Sequence, residues 1–368
     1  MMNIPLLDLK AQYLTIKTEI DQAVLAVLDS GKYILGPEMK ALEKEIAAYC
    51  GTSQAIAVGN GTDALTLTLK AMGIGPGDEV ITTPFTFFAS AETIALTGAV
   101  PVFADIDPLT LNMDLNTLED KINSRTKAII PVHIFGQMVD VERVMEIAAH
   151  HSIQVIEDAA QAIGAEYKGK KAGSLGHAGT FSFFPTKNLG AYGDAGMIVT
   201  DNEHLAAELR MLRFHGCQVK YYHEKIGYNS RLDEIQAAIL RVKFRYLEQW
   251  NEARREKAAF YDQLLQGLPL TLPGRDRLAK QVYHLYVLRS PRRDDIIGHL
   301  AAAGVATGIY YPLPLHLQRA FRDLGYQEGD FPVAEQACRE AFAIPCYPEL
   351  SNSQLEAIAG LLRTFTNK

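Results

Sequence analysis

The chain has 368 residues, 48% hydrophobic and 21% charged, with a formal net charge of -7. That length exceeds what one core usually serves and suggests two lobes, and the composition is that of a water-soluble globular protein. The acidic balance, with no run of basic residues and no Lys/Arg interleaved with aromatics, argues against a nucleic-acid binder.

The opening stretch MMNIPLLDLKAQYLTIK has no continuous apolar core, and no later segment nears the roughly 20 apolar residues of a membrane span, so a cytosolic protein is expected. Short apolar runs then alternate with helical patterns. The expected strands are Gln54–Val58, Glu79–Thr83, Pro101–Asp105, Ala128–Ile134, Gln154–Asp158, Thr180–Phe184 and Met197–Thr200. Helical spacing marks Asp63–Met72, Phe87–Leu96, Val141–His151 and Glu203–Phe214. This alternation predicts a mostly parallel sheet covered on both faces, with ligands at the carboxyl ends of its strands. A long charged helical pattern, Arg231–Leu265, leads into a different texture: strand Gln281–Arg289, helix Asp294–Ala303, strand Val305–Tyr311 and terminal helix Ser353–Phe365. The expected division is a large α/β domain over 1–265, which includes an N-terminal arm and the long connecting helix, and a small α+β domain over 266–368. Cys50, Cys217, Cys338 and Cys346 form no CxxC pair, so neither a zinc knuckle nor a disulfide framework is expected.

Three places carry chemistry. Strand Gln54–Val58 runs into Gly59-Asn60-Gly61-Thr62-Asp63-Ala64, either a phosphate-binding turn at a helix N-terminus or simply a capped turn. The same residues fit G-x-G-x-x-A, but the acidic residue expected after the next strand is missing, and no G-x-x-x-x-G-K-[ST] occurs. In Val155-Ile156-Glu157-Asp158-Ala159-Ala160-Gln161 two acids end an apolar strand; a carboxylate there needs a cation or strong donors, and a protonated pyridine nitrogen would be one such partner. Lys187 follows the apolar run Phe181–Phe184, in a glycine-rich loop before the next strand. A lysine in an apolar pocket loses its charge more easily and can form a Schiff base. Taken together, a phosphate cradle, an acid for a ring nitrogen and an amine for an aldehyde are the parts that hold pyridoxal 5'-phosphate. A Rossmann-type NAD enzyme would explain the glycine turn but not Lys187 with Asp158.

Tyr33-Ile34-Leu35-Gly36-Pro37, Gly59–Leu65, Glu157–Gln161, Phe181–Asp194 and Asn229-Ser230-Arg231-Leu232-Asp233 together resemble the DegT/DnrJ/EryC1/StrS family of pyridoxal-phosphate nucleotide-sugar aminotransferases, nearly end to end. The resemblance implies the aspartate-aminotransferase fold and a homodimer with shared active sites. By position it implies Gly61, Thr62 and Ser182 as phosphate ligands, Phe88 as the aromatic stacked on the ring, and Asp158 as the acid for the ring nitrogen. It further implies Gln161 beside the ring hydroxyl, Lys187 as the covalent anchor and acid-base group, Asn229 as a phosphate ligand lent by the second subunit, and Arg231 as a substrate-binding arginine. Tyr310-Tyr311-Pro312-Leu313-Pro314-Leu315-His316 is similar to the H-Y-P-x-P-L/V-H segment of enzymes that aminate C-3 of a keto sugar, and marks Tyr310, Tyr311 and His316 as substrate-binding; Tyr310 replaces the usual His. The implied reaction is a ping-pong transfer from an amino acid, L-glutamate, to a UDP- or dTDP-linked keto sugar, with C-4 amination as the alternative. The family's sugar dehydratases carry His where this chain has Lys187.

Overall fold

The structure is a computed structural model and describes residues 3–366. Its centre is a seven-stranded sheet made of β1 (Gln54–Val58), β2 (Glu79–Thr82), β3 (Val100–Phe103), β4 (Thr126–Ile129), β5 (Gln154–Asp158), β8 (Ala178–Ser182) and β9 (Gly196–Thr200). The order is β1-β9-β8-β5-β4-β2-β3. All neighbours from β8 to β3 pair parallel, and β9 alone runs against both of its neighbours. This is the mostly parallel sheet expected from strand-helix alternation, and the strands are buried on both faces because helices cover each side.

The covering helices begin and end where their sequences permit. α3 (Pro37–Cys50) opens on proline, whose missing N–H costs nothing there, and closes on the left-handed Gly51. Its first-turn amides at Gly36, Glu38 and Met39 are taken by the buried Glu234 carboxylate. α4 (Gly61–Ala71) is capped by Asn60, and α6 (Val141–His151) by Asp140. In α6, Val141, Val144, Ile147 and Ala148 form the inward stripe. α5 (Ala89–Thr97) and α7 (Glu203–Leu212) complete the crossovers, and α1 (Leu9–Thr15) and α2 (Lys17–Ser30) precede them. Short pairs lie at the margins: β6 (Glu166–Tyr167), β7 (Lys170–Lys171) and β12 (Ala279–Lys280) form one small sheet, and β10 (Cys217–Val219) with β11 (Tyr222–His223) another.

Several expected elements differ. The single helix over Arg231–Leu265 is two, α8 (Glu234–Phe244) and α9 (Leu247–Leu265). The chain bends at Arg245 and Tyr246, where Tyr246 stacks on Trp250 at 5.7 Å. The run Ala128–Ile134 is a strand only to Ile129, and Ile134–Gly136 forms a 3-10 turn. In the C-terminal part β13 (Tyr286–Arg289) pairs with β14 (Ala341–Ile344) beside α10 (Arg293–Ala302), α11 (Pro332–Glu340) and α12 (Asn352–Thr366). No strand forms over Val305–Tyr311: Val305 bridges Ile4 and Gly308 bridges Ala343, and two isolated bridges do not make a ladder.

A core of Tyr286, Leu288, Ile296, Phe342, Leu355 and Ile358 also takes in Ala258, Tyr261 and Leu265 of α9 and Ile4 of the N-terminal arm. Packing therefore does not break at residue 265. Another cluster joins Phe85 and Phe103 of the sheet region to Phe321, Phe331 and Ala343. All four cysteines are buried and free. Among the described residues, no helix is long and apolar enough to cross a membrane, and no group of His, Cys, Asp or Glu side chains could hold a metal ion.

Candidate active site

β5 and β8 lie side by side, and their carboxyl ends present Asp158 and Ser182. Asp158 is buried and its carboxylate is pinned: Ser90 Oγ donates to Oδ2 at 2.7 Å and the Ala160 N–H donates to Oδ1 at 3.2 Å. Thr86 Oγ1 lies 3.0 Å from Ser90 Oγ. The other acid of the pair does different work. The Glu157 carboxylate receives the N–H groups of Gly173, Leu175 and Gly176 at 2.7–2.8 Å, and the His133 ring through Nε2 at 2.8 Å. Because the Val139 N–H donates to Nδ1, the ring proton sits on Nε2, toward Glu157. Burial alone would raise the Glu157 carboxyl, but the His133 and backbone contacts outweigh it and hold it below its ordinary value. Glu157 clamps loop 173–176 to the sheet, and Asp158 alone is left for chemistry.

Lys187 sits in the loop that joins β8 to β9, its N–H donating to the Phe184 carbonyl at 2.8 Å. The residue is half-buried. Desolvation lowers its amine from the ordinary 10.5 to about 8, and the nearby Asp158 charge offsets only part of this. The apolar run before it behaves as its sequence suggests only in part. Phe181 and Phe183 are in the core, whereas Phe184 is exposed, because the strand ends at Ser182.

The glycine turn is the start of α4. Asn60 takes the Asp63 N–H on its side chain at 2.7 Å and the Ala64 N–H on its carbonyl at 3.1 Å. The Gly61 and Thr62 amides are left without helix partners. Ser182 is their neighbour: a Cβ on Gly61 would lie 2.7 Å from that of Ser182, so only glycine lets the turn approach the strand end this closely. Ser230 Oγ donates to Asp63 Oδ2 at 2.6 Å and accepts the Gly59 N–H at 3.0 Å, which brings the Asn229–Arg231 stretch against the same turn. Two amides and an amine that have no hydrogen-bond partner among the described residues, with a hydroxyl and a pinned carboxylate, fit the phosphate, aldehyde and ring nitrogen of pyridoxal phosphate.

Gln161 is held at both ends, its Oε1 accepting the Phe135 N–H at 2.7 Å and its Nε2 donating to the Tyr311 hydroxyl at 3.0 Å. Burial pushes the Tyr311 phenol well up, so it stays protonated with its own O–H free to donate. Tyr311 is thus joined to Gln161. The stacking aromatic requires a correction. Phe88 is half-buried and packs against Phe321, with ring centroids 5.3 Å apart. Its neighbour Phe87 is 57% exposed and 6.3 Å from the Tyr311 ring, and is the better placed of the two. His316 is a second correction: it is 1% exposed, 4.8 Å from the Phe331 ring, and its Nε2 meets Glu335 at 3.2 Å. Such a side chain is not open to a sugar. Tyr310 is half-buried, with its ring 5.8 Å from Tyr311. The Arg231 guanidinium lies over Phe214 at 5.8 Å, and Asn229 is exposed.

Sequence reasoning missed His284 and Asn188. Asn188 is buried and follows Lys187, and the His284 ring is 3.3 Å from its carboxamide oxygen. The only signal was a histidine inside the apolar run Val282-Tyr283-His284-Leu285-Tyr286.

Comparison with known proteins places the chain in a family. Residues 14–363 match the DegT/DnrJ/EryC1/StrS aminotransferase family. The chain is 52% identical to the "Pleiotropic regulatory protein" of Geobacillus stearothermophilus, covering 99% of this chain and 100% of that one. It is 43% identical to the dTDP-3-amino-3,4,6-trideoxy-alpha-D-glucose transaminase of Streptomyces venezuelae, covering 99% and 97%. Its fold is similar to the crystal structure of S. venezuelae DesV in complex with a ketimine intermediate, with a TM-score of 0.98, 42% identity and 100% of each chain covered. The large mixed sheet is accordingly that of the pyridoxal-phosphate sugar aminotransferases. With its match spanning nearly the whole length and relatives of this identity, the chain belongs to the DegT/DnrJ/EryC1/StrS aminotransferase family, whose cofactor is pyridoxal phosphate.

Proposed function

We propose that the protein transfers an amino group from L-glutamate to C-3 of a nucleotide-linked 3-keto sugar, acting as a homodimer. The observation that carries the reading is the placement of Lys187, with its amine lowered to about 8, within the field of the pinned Asp158 carboxylate. A lysine that is readily neutral can act as nucleophile and as base near neutral pH. Similarity along 99% of the chain to a relative named for a 3-amino sugar supports C-3 over C-4.

Pyridoxal phosphate supplies an aldehyde that captures amines and a protonated ring that draws electrons from the adjoining carbon. The chain's residues then have distinct tasks. The Gly61 and Thr62 amides with Ser182 Oγ would hold the phosphate, and Asp158 would keep the ring nitrogen protonated. Phe87 covers the ring, while Gln161 and Tyr311 flank its hydroxyl. Lys187 Nζ would bind the aldehyde and, when free, would take the proton from the donor's α-carbon and deliver it to the former aldehyde carbon. Arg231 offers a planar fork to the donor carboxylate, and Asn229 reaches the phosphate of the partner subunit.

Regiochemistry is decided by which carbonyl the pocket brings to about 3–3.5 Å of the incoming amine. Incubation with glutamate and matched 3-keto and 4-keto nucleotide sugars, carrying UDP or dTDP, followed by NMR of the products, is expected to place the new amine at C-3. A product aminated only at C-4 refutes the assignment.

A further inference from the structure

We propose that His284 is a positioning residue for Lys187, donating its Nδ1–H to Asn188 and so holding the lysine's loop in the geometry that keeps the amine out of water. The proposal rests on the reading of Lys187 as the cofactor-bearing amine.

A donor-acceptor inventory leads to it. Asn188 Nδ2 donates to Asn251 Oδ1 at 2.8 Å and to the Val282 carbonyl at 3.0 Å. A carbonyl can only accept, so the nitrogen is correctly placed and both of its protons are spent. The remaining Asn188 atom, Oδ1, can only accept. The His284 nitrogen 3.3 Å from it, Nδ1, must therefore carry the proton. A neutral ring in this tautomer leaves Nε2 bare. The ring is kept neutral by burial first, then by the two cations that bear on it, Lys187 from the β8–β9 loop and Arg254 from α9, which together lower its pKa well below the ordinary value. Arg254 cannot withdraw, since it donates to the carbonyls of Cys346, Tyr283 and His284 itself at 2.7–3.4 Å. The backbone of His284 is fixed as well, its N–H donating to the Phe135 carbonyl at 3.0 Å. Asn251 is tied in turn to the Ile163 carbonyl at 3.1 Å. On the amine the opposing charge is Asp158 of β5. Asn188, which follows Lys187, is thus fastened from α9 and from the segment entering β13, where His284 adds a side-chain link to the one made by the Val282 carbonyl.

Two experiments test this. Holoenzyme labelled with [15N]histidine, with His284 assigned by its loss in His284→Gln, is expected to show a neutral Nδ1–H ring from about pH 6 to about pH 9. An Nε2–H ring or an imidazolium at neutral pH overturns the proposal. Independently, the full-length protein freed of cofactor is mixed with pyridoxal phosphate across a pH series, trapped with borohydride, and the Lys187 adduct is measured by peptide mass spectrometry. The wild-type midpoint is expected near 8. His284→Phe and Asn188→Ala should admit water and move it by more than about one pH unit toward the ordinary lysine value of about 10.4. His284→Gln, which can still donate to Asn188, should restore it. An unchanged midpoint in both loss variants refutes the inference, and should His284→Phe fail to fold, Asn188→Ala and the ring tautomer still decide. If wild type forms no Lys187 adduct at all, the reading of Lys187 is what has failed.

Discussion

On the proposed reading one amine, that of Lys187, both holds a carbonyl and moves protons, and both tasks need it uncharged. Its folded value of about 8 lies below the ordinary 10.5, so the neutral fraction grows as pH rises through about 8, well before a surface lysine would respond. Lys187→Ala should lower single-turnover transamination by about 100- to 10,000-fold, the usual worth of a positioned acid-base group. Wild-type-like turnover would remove the residue from the mechanism. Lys187 and Asp158 stand out in the sequence as candidates because a charge at the end of an apolar strand must find a partner or a task. Phe87 and Phe88 were not distinguishable, because which ring faces outward depends on where α5 begins. His284 and the Gln161–Tyr311 pair were invisible for another reason: their roles lie in hydrogen bonds to residues remote in the chain, which no local pattern encodes.

Whether the α4 N-terminus grips a phosphate turns on how near a strand end can come to a helix start. The turn is ambiguous as a sequence, and the arrival of Ser182 from β8 against Gly61 supports the phosphate-binding reading. Gly61→Ala puts a methyl group 2.7 Å from Ser182 Cβ, and the crowding should cost about 1–3 kcal/mol. Titrating cofactor into the apoprotein should then give a Kd weaker by roughly five- to 150-fold. An unchanged Kd places the phosphate elsewhere. Other elements were legible in proportion to their periodicity. β1, β5 and α6 fall where the sequence puts them, because each combines a buried pattern with a clear stop. The break between α8 and α9 has no glycine or proline to announce it, and charged helical spacing runs straight across. Val305–Tyr311 reads as a strand by composition, but β14 already pairs with β13, and only Gly308 reaches its other edge.

The whole molecule leaves Asn229 exposed, although the stretch that carries it packs against the phosphate turn. If Asn229 serves the partner's site, mixing inactive Lys187→Ala and Asn229→Ala chains should restore part of the activity, because one of the two sites in the heterodimer keeps both residues. A purified heterodimer without turnover would rule out the sharing. The change of texture after residue 265 suggests two lobes, but the sequence gives no sign of the common core in which α9 and the N-terminal arm pack into the later part of the chain. The lone antiparallel strand has a consequence in time as well. β9 follows β8 directly in the chain, yet it also pairs with β1, so Gln54 meets Thr200 and the two halves of the proposed phosphate cradle come from distant parts of the chain. Such a pairing bears a large loop-closure entropy and forms slowly. During synthesis the cradle cannot close until β8 has left the ribosome, and the Lys187 loop cannot be fastened until α9 has followed. A nascent chain is therefore blind to its cofactor for most of its translation, and the cofactor can act as a seal on a nearly finished fold but not as a template for starting one.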